Sequence, residues 1–373
     1  MKKVCIFHND IAFGGTDTFV INLSQGLIHD DYDITVVLSA GEKCFSEERE
    51  RELKATGVKI VKTCSLNGGL KSKLKHLRLL YKELKSGKYD VFQTNIDLFN
   101  GPNLFIAWLA GVPVRVCHSH NANQAKALKK GRSILIRLYQ RIMRWMCWTF
   151  SNRRAGCSPE AMNFLFGKKW KKDKNSKVVY NGIDLSKFCN LVNVEEKKNN
   201  LGLSNRLNIL TVGRMDIQKN SIFIAEVFSE LAKIRNDVDL VWCGIGELQG
   251  NIEDIFTKNC IQARVHLLGT RSDVNEIMQC CDLFFLPSNF EGLGIVLLEA
   301  QAAQLQCLTS TNVPADVNCG GCIYLDLNNS IENWIANINE LLNKKGIYKV
   351  DMSRLNLFTI QTMVKSMEEI FEL

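Results

Sequence analysis

The sequence predicts an α/β protein made of two doubly wound, Rossmann-like domains facing a cleft. Three observations carry that expectation. A chain of 373 residues is long for one such domain and comfortable for two. Short β-branched runs alternate with amphipathic stretches of helical length. The alternation also restarts after a polar interval. Strand candidates in the first series are 4–8, 34–38, 58–63, 91–95, 114–118, 155–158 and 177–180. The second series is 208–212, 240–243, 265–268, 283–287, 306–310 and 322–325. Helical periods fill the gaps, as in 19–27 and 222–234. Strands alternating with helices build parallel sheets covered on both faces. The charged stretch 193–200 separates the two series, and there is no internal repeat or low-complexity segment. Domains are expected at 1–187 and 188–350, with a terminal segment at 351–373. Open sheets of this kind bind ligands at the carboxyl ends of their strands.

Composition narrows the class. The chain is 46% hydrophobic and 23% charged, and no run approaches the roughly 20 apolar residues of a membrane helix. The opening MKKVCIFHND turns polar too soon for a signal peptide and reads as a first buried strand. Most of the 14 cysteines lie in apolar runs, and the lone CGGC at 319–322 has no second pair for a metal. A reduced, cytoplasmic chain is the expectation. The net charge of +8 hides an asymmetry. Residues 1–187 carry 32 Lys/Arg against 16 Asp/Glu, and the remainder carries 15 against 23. That split suggests different partners for the two halves.

The sharpest chemical signal is NFEGLGIVLLEA at 289–300, which follows an apolar strand and opens an apolar helix. Its glycines, Gly292 and Gly294, let backbone N–H groups approach a ligand, and the helix N-terminus favours an anion. Glu291 precedes the helix, and Glu299 is expected about two turns in. Carboxylates suit sugar or ribose hydroxyls, since each accepts directed hydrogen bonds. The plainer alternative is an acidic pair matched to the helix dipole.

A second signal is TVGRMDIQKN at 211–220, where a strand ends and a helix follows. Gly213 permits a sharp exit. Arg214 and Lys219 put two cations where a diphosphate would lie. Read plainly, they are solvated surface cations. The GIGE at 244–247 is a lone bend. FGGT at 13–16 either cradles phosphate or simply turns the chain. No GxGxxG accompanies it, and the second strand ends Leu38-Ser39-Ala40 with no carboxylate, so a nicotinamide dinucleotide is disfavoured.

RVCHSHN at 115–121 ends a strand with His118, His120 and Asn121 at its carboxyl tip, which favours substrate contact over a structural role. A metal would need a third ligand, and no other histidine is near. Residues 126–154 hold nine Lys/Arg interleaved with apolar and aromatic side chains. This basic amphipathic segment suits an anionic membrane surface, or its apolar side packs on the sheet with the cations solvated. No nucleic-acid module accompanies the charge.

Together these motifs resemble the family-4 retaining glycosyltransferases of the GT-B fold, over nearly the whole chain. Wording such as GVPVRVCHSHN and SNFEGLGIVLLEAQA is similar to the bacterial branch that builds capsular polysaccharide and exopolysaccharide. Glu291 and Glu299 match the family's E-x7-E motif, and Val179 to Asp184 its NGID turn. The resemblance implies that Arg214 and Lys219 neutralise the donor diphosphate, with Gly213 at the strand exit. It implies that amides near Leu293 and Ile295 meet phosphate or sugar, Glu299 the ribose and Glu291 the transferred sugar. His118 would sit at the sugar or reacting centre, and Gly15 would let the first loop approach a substrate. The anomeric configuration would be retained, with no divalent metal and no other cofactor.

The donor implied is a nucleotide sugar, uridine-based, carrying a hexose or N-acetylhexosamine. The acceptor is a growing glycan or a lipid-linked one. The enzyme is expected in the cytoplasm, at the inner membrane face if 126–154 holds it there. The family also sends its last helix back onto the first domain. Two departures stand beside the motifs: 303–307 reads AQLQC where the family has a Gly-Pro turn, and Asp17 stands where it often has Glu. A nucleotide-sugar epimerase and a catalytically silent sugar-nucleotide-binding scaffold are the rival readings.

Overall fold

The computed structural model describes residues 1–28, 32–39, 46–121, 134–344 and 349–372. The chain forms two compact units. The first comprises the described residues of 1–182 together with 358–372, and the second those of 183–357. The chain thus changes unit at 182/183 and 357/358, where the sequence reading divides it at 187/188 and 350/351.

The first unit holds a seven-stranded sheet. Its strands are β1 (Lys2–His8), β2 (Tyr32–Leu38), β3 (Lys59–Lys62), β4 (Val91–Thr94), β5 (Val114–Ser119), β6 (Arg153–Gly156) and β7 (Ser176–Val178). Their order is β3-β2-β1-β4-β5-β6-β7, and every pairing is parallel. Parallel strands are covered on both faces, so β1 from Val4 and β2 from Ile34 are buried at successive residues rather than at alternate ones. Val4, Ile6, Val36 and Leu38 face one core with the helix Gly15–Leu27 and the C-terminal helix Ile360–Glu372. Cys5, Phe7, Val37 and Phe92 face the other, with the helices Gly69–Gly87, Asn100–Ala110 and Ile134–Phe150. Residues 126–133 of the basic segment read from the sequence lie outside the described residues. Helix Pro159–Phe166 shows how local sequence sets an end. Ser158 caps it by accepting from the Ala161 N–H at 3.1 Å, and Pro159 opens its first turn.

The NGID turn owes its glycine to a crossing. A Cβ on Gly182 would lie 2.6 Å from the Ile360 Cα, so only glycine lets the returning C-terminal segment pass. Asn22 Nδ2 donates to the Gly182 carbonyl at 3.2 Å and ties the turn to the first helix.

The second unit holds six parallel strands: β8 (Leu207–Val212), β9 (Val238–Cys243), β10 (Val265–Gly269), β11 (Leu283–Leu286), β12 (Cys307–Ser310) and β13 (Cys322–Leu325). Their order is β10-β9-β8-β11-β12-β13. Connections leave β8 toward β9 on one side and return at β11 on the other, so the β8/β11 boundary is the switch point where such sheets open a crevice. Trp242 and Trp334 are fully buried in its core. The stretch 193–200 is not an irregular spacer. Asn193 caps a short helix there, Val194–Asn200, accepting from the Glu196 N–H at 3.3 Å. The described cysteines are all free.

Candidate active site

In the second unit, two strand-exit loops are stitched together. At the end of β8, Gly213 takes φ 149°, a conformation closed to most side chains, and a Cβ there would lie 2.8 Å from Lys219 Cε. The Lys219 stem therefore passes directly over the glycine. The GIGE bend also belongs to this site. A Cβ on Gly244 would meet the Gly213 carbonyl at 2.1 Å, and Met215 N–H donates to the Ile245 carbonyl at 3.2 Å. Asp216 Oδ1 accepts from the Lys219 N–H at 3.0 Å and shapes the turn.

Across the switch point, Asn289 N–H donates to the Gln218 carbonyl at 2.8 Å, and its side-chain amide donates to the Ile217 carbonyl at 2.7 Å. This brings Lys219 Nζ within 2.7 Å of Glu291 Oε1, with side chains only 17% and 7% exposed. Ser288 Oγ donates to the same carboxylate oxygen at 2.7 Å. A carboxylate taken from water in this way needs partners, and here a cation and a hydroxyl satisfy it. Arg214 stands apart, with 73% of its side chain exposed and a 3.1 Å pairing to Asp216. It is free to meet an incoming anion.

Gly294, at φ 90°, ends the loop, and the helix it opens is Ile295–Ala302. Glu299 is the fifth helical residue, so it lies just over one turn in rather than the two expected, because the left-handed glycine delays the start. Among the described residues no side chain caps this helix. Leu293 is buried, while Gly292 and Ile295 are half-buried. Glu299 keeps part of its surface accessible, yet protein crowds its carboxyl. That desolvation raises it to about 7, against Lys187 and Lys219, which pull it down.

The first unit carries a different cluster at the tips of β1, β4 and β5. His118 and His120 are buried, their rings 4.1 Å apart and both packed against Phe19. Burial lowers His118 to about 3 and pushes His120 well below its usual value, so both rings are neutral. Gln93 Nε2 donates to His118 Nδ1 at 3.3 Å, which leaves the proton on Nε2. That Nε2–H is buried with no partner among the described residues. His120 instead donates through Nε2 to Asn95 Oδ1 at 3.1 Å. His118 is thus the ring with an unspent donor.

Sequence reasoning missed the residues that hold these rings. Asp97 takes φ 52° and accepts from the His120 N–H at 3.1 Å and from the Asn121 side chain. Burial raises its carboxyl. His8 donates to Asp17 Oδ1 at 2.6 Å, and Asp17 Oδ2 accepts from the Gly14 N–H at 2.7 Å. The pair fixes the loop that leads to Gly15, which is exposed at the start of its helix. The readable signal was N-I-D just after a strand, at 95–97.

Two family models match: Glycosyltransferase Family 4 over residues 13–187, and Glycosyl transferases group 1 over 193–354. The chain is 30% identical over 342 residues to a protein named glycosyltransferase EpsF of Bacillus subtilis, covering 90% of this chain and 87% of that protein. The chain belongs to the family-4 glycosyltransferases. The transferase is also 29% identical over 286 residues to UDP-Gal:alpha-D-GlcNAc-diphosphoundecaprenol alpha-1,3-galactosyltransferase of Escherichia coli, covering 75% of this chain and 71% of that one. Among solved structures, Anabaena Alr3699/HepE in complex with UDP superposes with a TM-score of 0.79 at 16% identity, covering all of both chains. WaaG, a glycosyltransferase of lipopolysaccharide biosynthesis, superposes with a TM-score of 0.70 at 17% identity over 97% of this chain and 95% of that one. At such identities the superpositions establish the GT-B fold of the transferase.

Proposed function

We propose that the transferase moves a hexose or N-acetylhexosamine from a UDP-sugar to a lipid-linked or growing glycan acceptor of an exopolysaccharide or capsule, with retention and without a divalent metal. The observation that carries this reading is the buried Lys219–Glu291 pair at the β8/β11 switch point, with exposed Arg214 beside it. The relatives' names support it, since one is a UDP-Gal transferase to a diphosphoundecaprenol acceptor and HepE was crystallised with UDP.

Glycosyl transfer develops positive charge on the sugar and negative charge on the leaving diphosphate. Arg214 and Lys219 answer the second, doing electrostatically what a metal does elsewhere. A diphosphate that draws Lys219 toward itself releases Glu291 to accept from sugar hydroxyls. Amides near Leu293 and Ile295, freed by Gly292 and Gly294, meet phosphate or sugar. Glu299 accepts from the ribose. His118, through its unspent Nε2–H, donates to the sugar or the reacting centre. Gly15 and Gly213 admit substrate close to the backbone.

Thermal melting of the intact protein with a panel of nucleotide sugars tests the reading. A donor at 100 times its Kd adds about 2.7 kcal/mol of apparent stability. One UDP-sugar should raise the melt, and Glu299→Ala and Arg214→Ala should each abolish the rise. Turnover should persist in EDTA, and the product's anomeric configuration should match the donor's. Release of a modified sugar nucleotide without acceptor would instead mark an epimerase. Binding without transfer or slow hydrolysis would mark a scaffold.

A further inference from the structure

One apolar face of the first sheet is interrupted by Gln93. On β4, residues 91, 93 and 95 share a side, and Gln93 lies in register with Ile6 on β1 and Val116 on β5. Ile6, Val91 and Val116 belong to the core that the helix Gly15–Leu27 covers. Gln93 is fully buried beside them, and its Oε1 has no partner among the described residues. A buried amide oxygen left unpaired weakens a fold, so an aliphatic side chain would suit the position better. What Gln93 contributes lies in its Nε2 group.

The surroundings assign both Nε2 protons. The Phe7 carbonyl can only accept, and it accepts from the Asn95 N–H at 3.2 Å and from Asn95 Nδ2 at 3.0 Å. That fixes the Asn95 amide and leaves its Oδ1 to accept from Gln93 Nε2 at 2.9 Å. Turning the Gln93 amide over would set its oxygen against Asn95 Oδ1. Nε2 therefore also faces His118 Nδ1, at 3.3 Å. A donor there requires a bare Nδ1, and the neutral ring then carries its proton on Nε2. The backbone of His118 is anchored separately. Asn100 Nδ2 donates to the His118 carbonyl at 2.9 Å, and the Ile96 N–H donates to Asn100 Oδ1 at 2.8 Å. Phe19 meets the ring edge to face, with centroids 4.7 Å apart. The place of His118 and its tautomer thus have different sources.

We infer that Gln93 is a positioning residue for the transfer, holding His118 as the Nε2–H tautomer through the relay from the Phe7 carbonyl by way of Asn95. This rests on the proposed reading in which that Nε2–H meets the sugar or the reacting centre. The other tautomer would present a lone pair in the same place, and a lone pair cannot donate to an oxygen that gains charge. An unheld imidazole exchanges between the two forms, whereas a held one keeps its donor in place before substrate arrives. A carboxylate at position 93 would do the opposite, since it accepts from Nδ1–H and favours the imidazolium. A neutral amide donor avoids both.

Selective 15N labelling of histidine in the full chain tests this, because long-range 1H–15N correlations tell a bare ring nitrogen from a protonated one. His118→Gln identifies the His118 signals. At about pH 8.5, above the usual histidine range, the parent should show His118 with Nδ1 bare and Nε2 protonated. Gln93→Glu should move the proton to Nδ1. Its kcat should fall about 100- to 1,000-fold, as loss of one positioned donor does, while the melting shift with UDP stays as in the parent. Gln93→Met supplies neither donor nor acceptor, so the tautomers should mix and kcat should fall less. Its melting temperature should match or exceed the parent's, the reverse of what a residue kept for stability would give. In a His118→Gln background neither substitution should lower kcat further, because effects relayed through one group do not add. A parent ring protonated on Nδ1 would overturn the inference. So would Gln93 variants that keep the parent's pattern, a changed tautomer with kcat unchanged, or an undiminished loss in the His118→Gln background. Absence of transfer from every donor would instead sink the proposed activity and this role with it, and the spectra would still report whether Gln93 sets the tautomer.

Discussion

In the first unit the carboxyl tips of β1, β4 and β5 present His8, Asn95, Asp97, His118 and His120. In the second, the tips of β8 and β11 lead into Arg214, Lys219 and Glu291. Both sheets are parallel and both place their first strand beside the fourth of its series. The clusters nevertheless differ in charge. His118 and His120 are packed under Phe19, and desolvation makes both of these rings neutral. The second cluster is built of ion pairs, with Glu291 against Lys219 and Asp216 against Arg214, whose side chain lies mostly in solvent. Equivalent backbone positions thus acquire opposite electrostatics from what covers them.

The largest expected effect tests the ion pair. Lys219→Ala leaves Glu291 buried beside Ser288 without its cation, and should lower unfolding stability by about 3–5 kcal/mol. Adding Glu291→Gln should recover much of that loss, and chemical denaturation of both variants measures it. Arg214→Ala, at an exposed position, should leave the melt within a degree or two of the parent. Its transfer rate should fall about 100- to 1,000-fold, as loss of one stabilising charge does. If the melt falls instead, Arg214 belongs to the framework.

A smaller effect concerns the backbone. Gly213→Ala should cost about 1–3 kcal/mol for the positive φ, and should also displace the Lys219 stem. Stability and donor affinity should then decline together. A loss of stability with donor affinity unchanged would separate the turn from the site.

The remaining effects are in pH, and they run in opposite directions in the two units. Glu299 holds its proton to about 7 when folded but near 4.5 when unfolded. Its stabilising contribution is complete below that lower value and is lost as pH rises to about 7. Glu299→Gln should flatten that fall, and nucleotide affinity of the parent should rise through the same window as the carboxylate forms. His118 is neutral when folded down to about 3, while the unfolded chain protonates it near 6.5. Its stabilising contribution is therefore complete above pH 6.5 and lost as pH falls toward 3. Melting curves of the parent, Glu299→Gln and His118→Gln across pH 4–8 distinguish the two.

Much of this was legible in the chain. All thirteen strands overlap the runs read from the sequence, most clearly the central ones such as β1, β8 and β11, because parallel strands buried on both faces leave a dense local signature. Glu291, Arg214 and Lys219 were legible from glycines at strand exits. The helix at 193–200 was not, since seven polar residues show no apolar period and only the Asn193 cap marks its start. Asp97 also escaped, because its importance lies in a left-handed φ and a contact with His120, 23 residues away.

The sequence by itself determined the alternation of strands and helices, the two-series plan and the residue types at the strand exits. Those are local properties, written in periodicity and in glycine spacing. Only the tertiary structure decided that Lys219 pairs with Glu291 across 72 residues, that His118 is neutral with an Nε2–H unpartnered among the described residues, and that Ile134, Leu138, Ile142 and Trp145 are exposed. Each depends on which strands are neighbours and on what desolvates or leaves bare a given side chain. Strand order and burial come from packing between distant segments, and no local pattern encodes them.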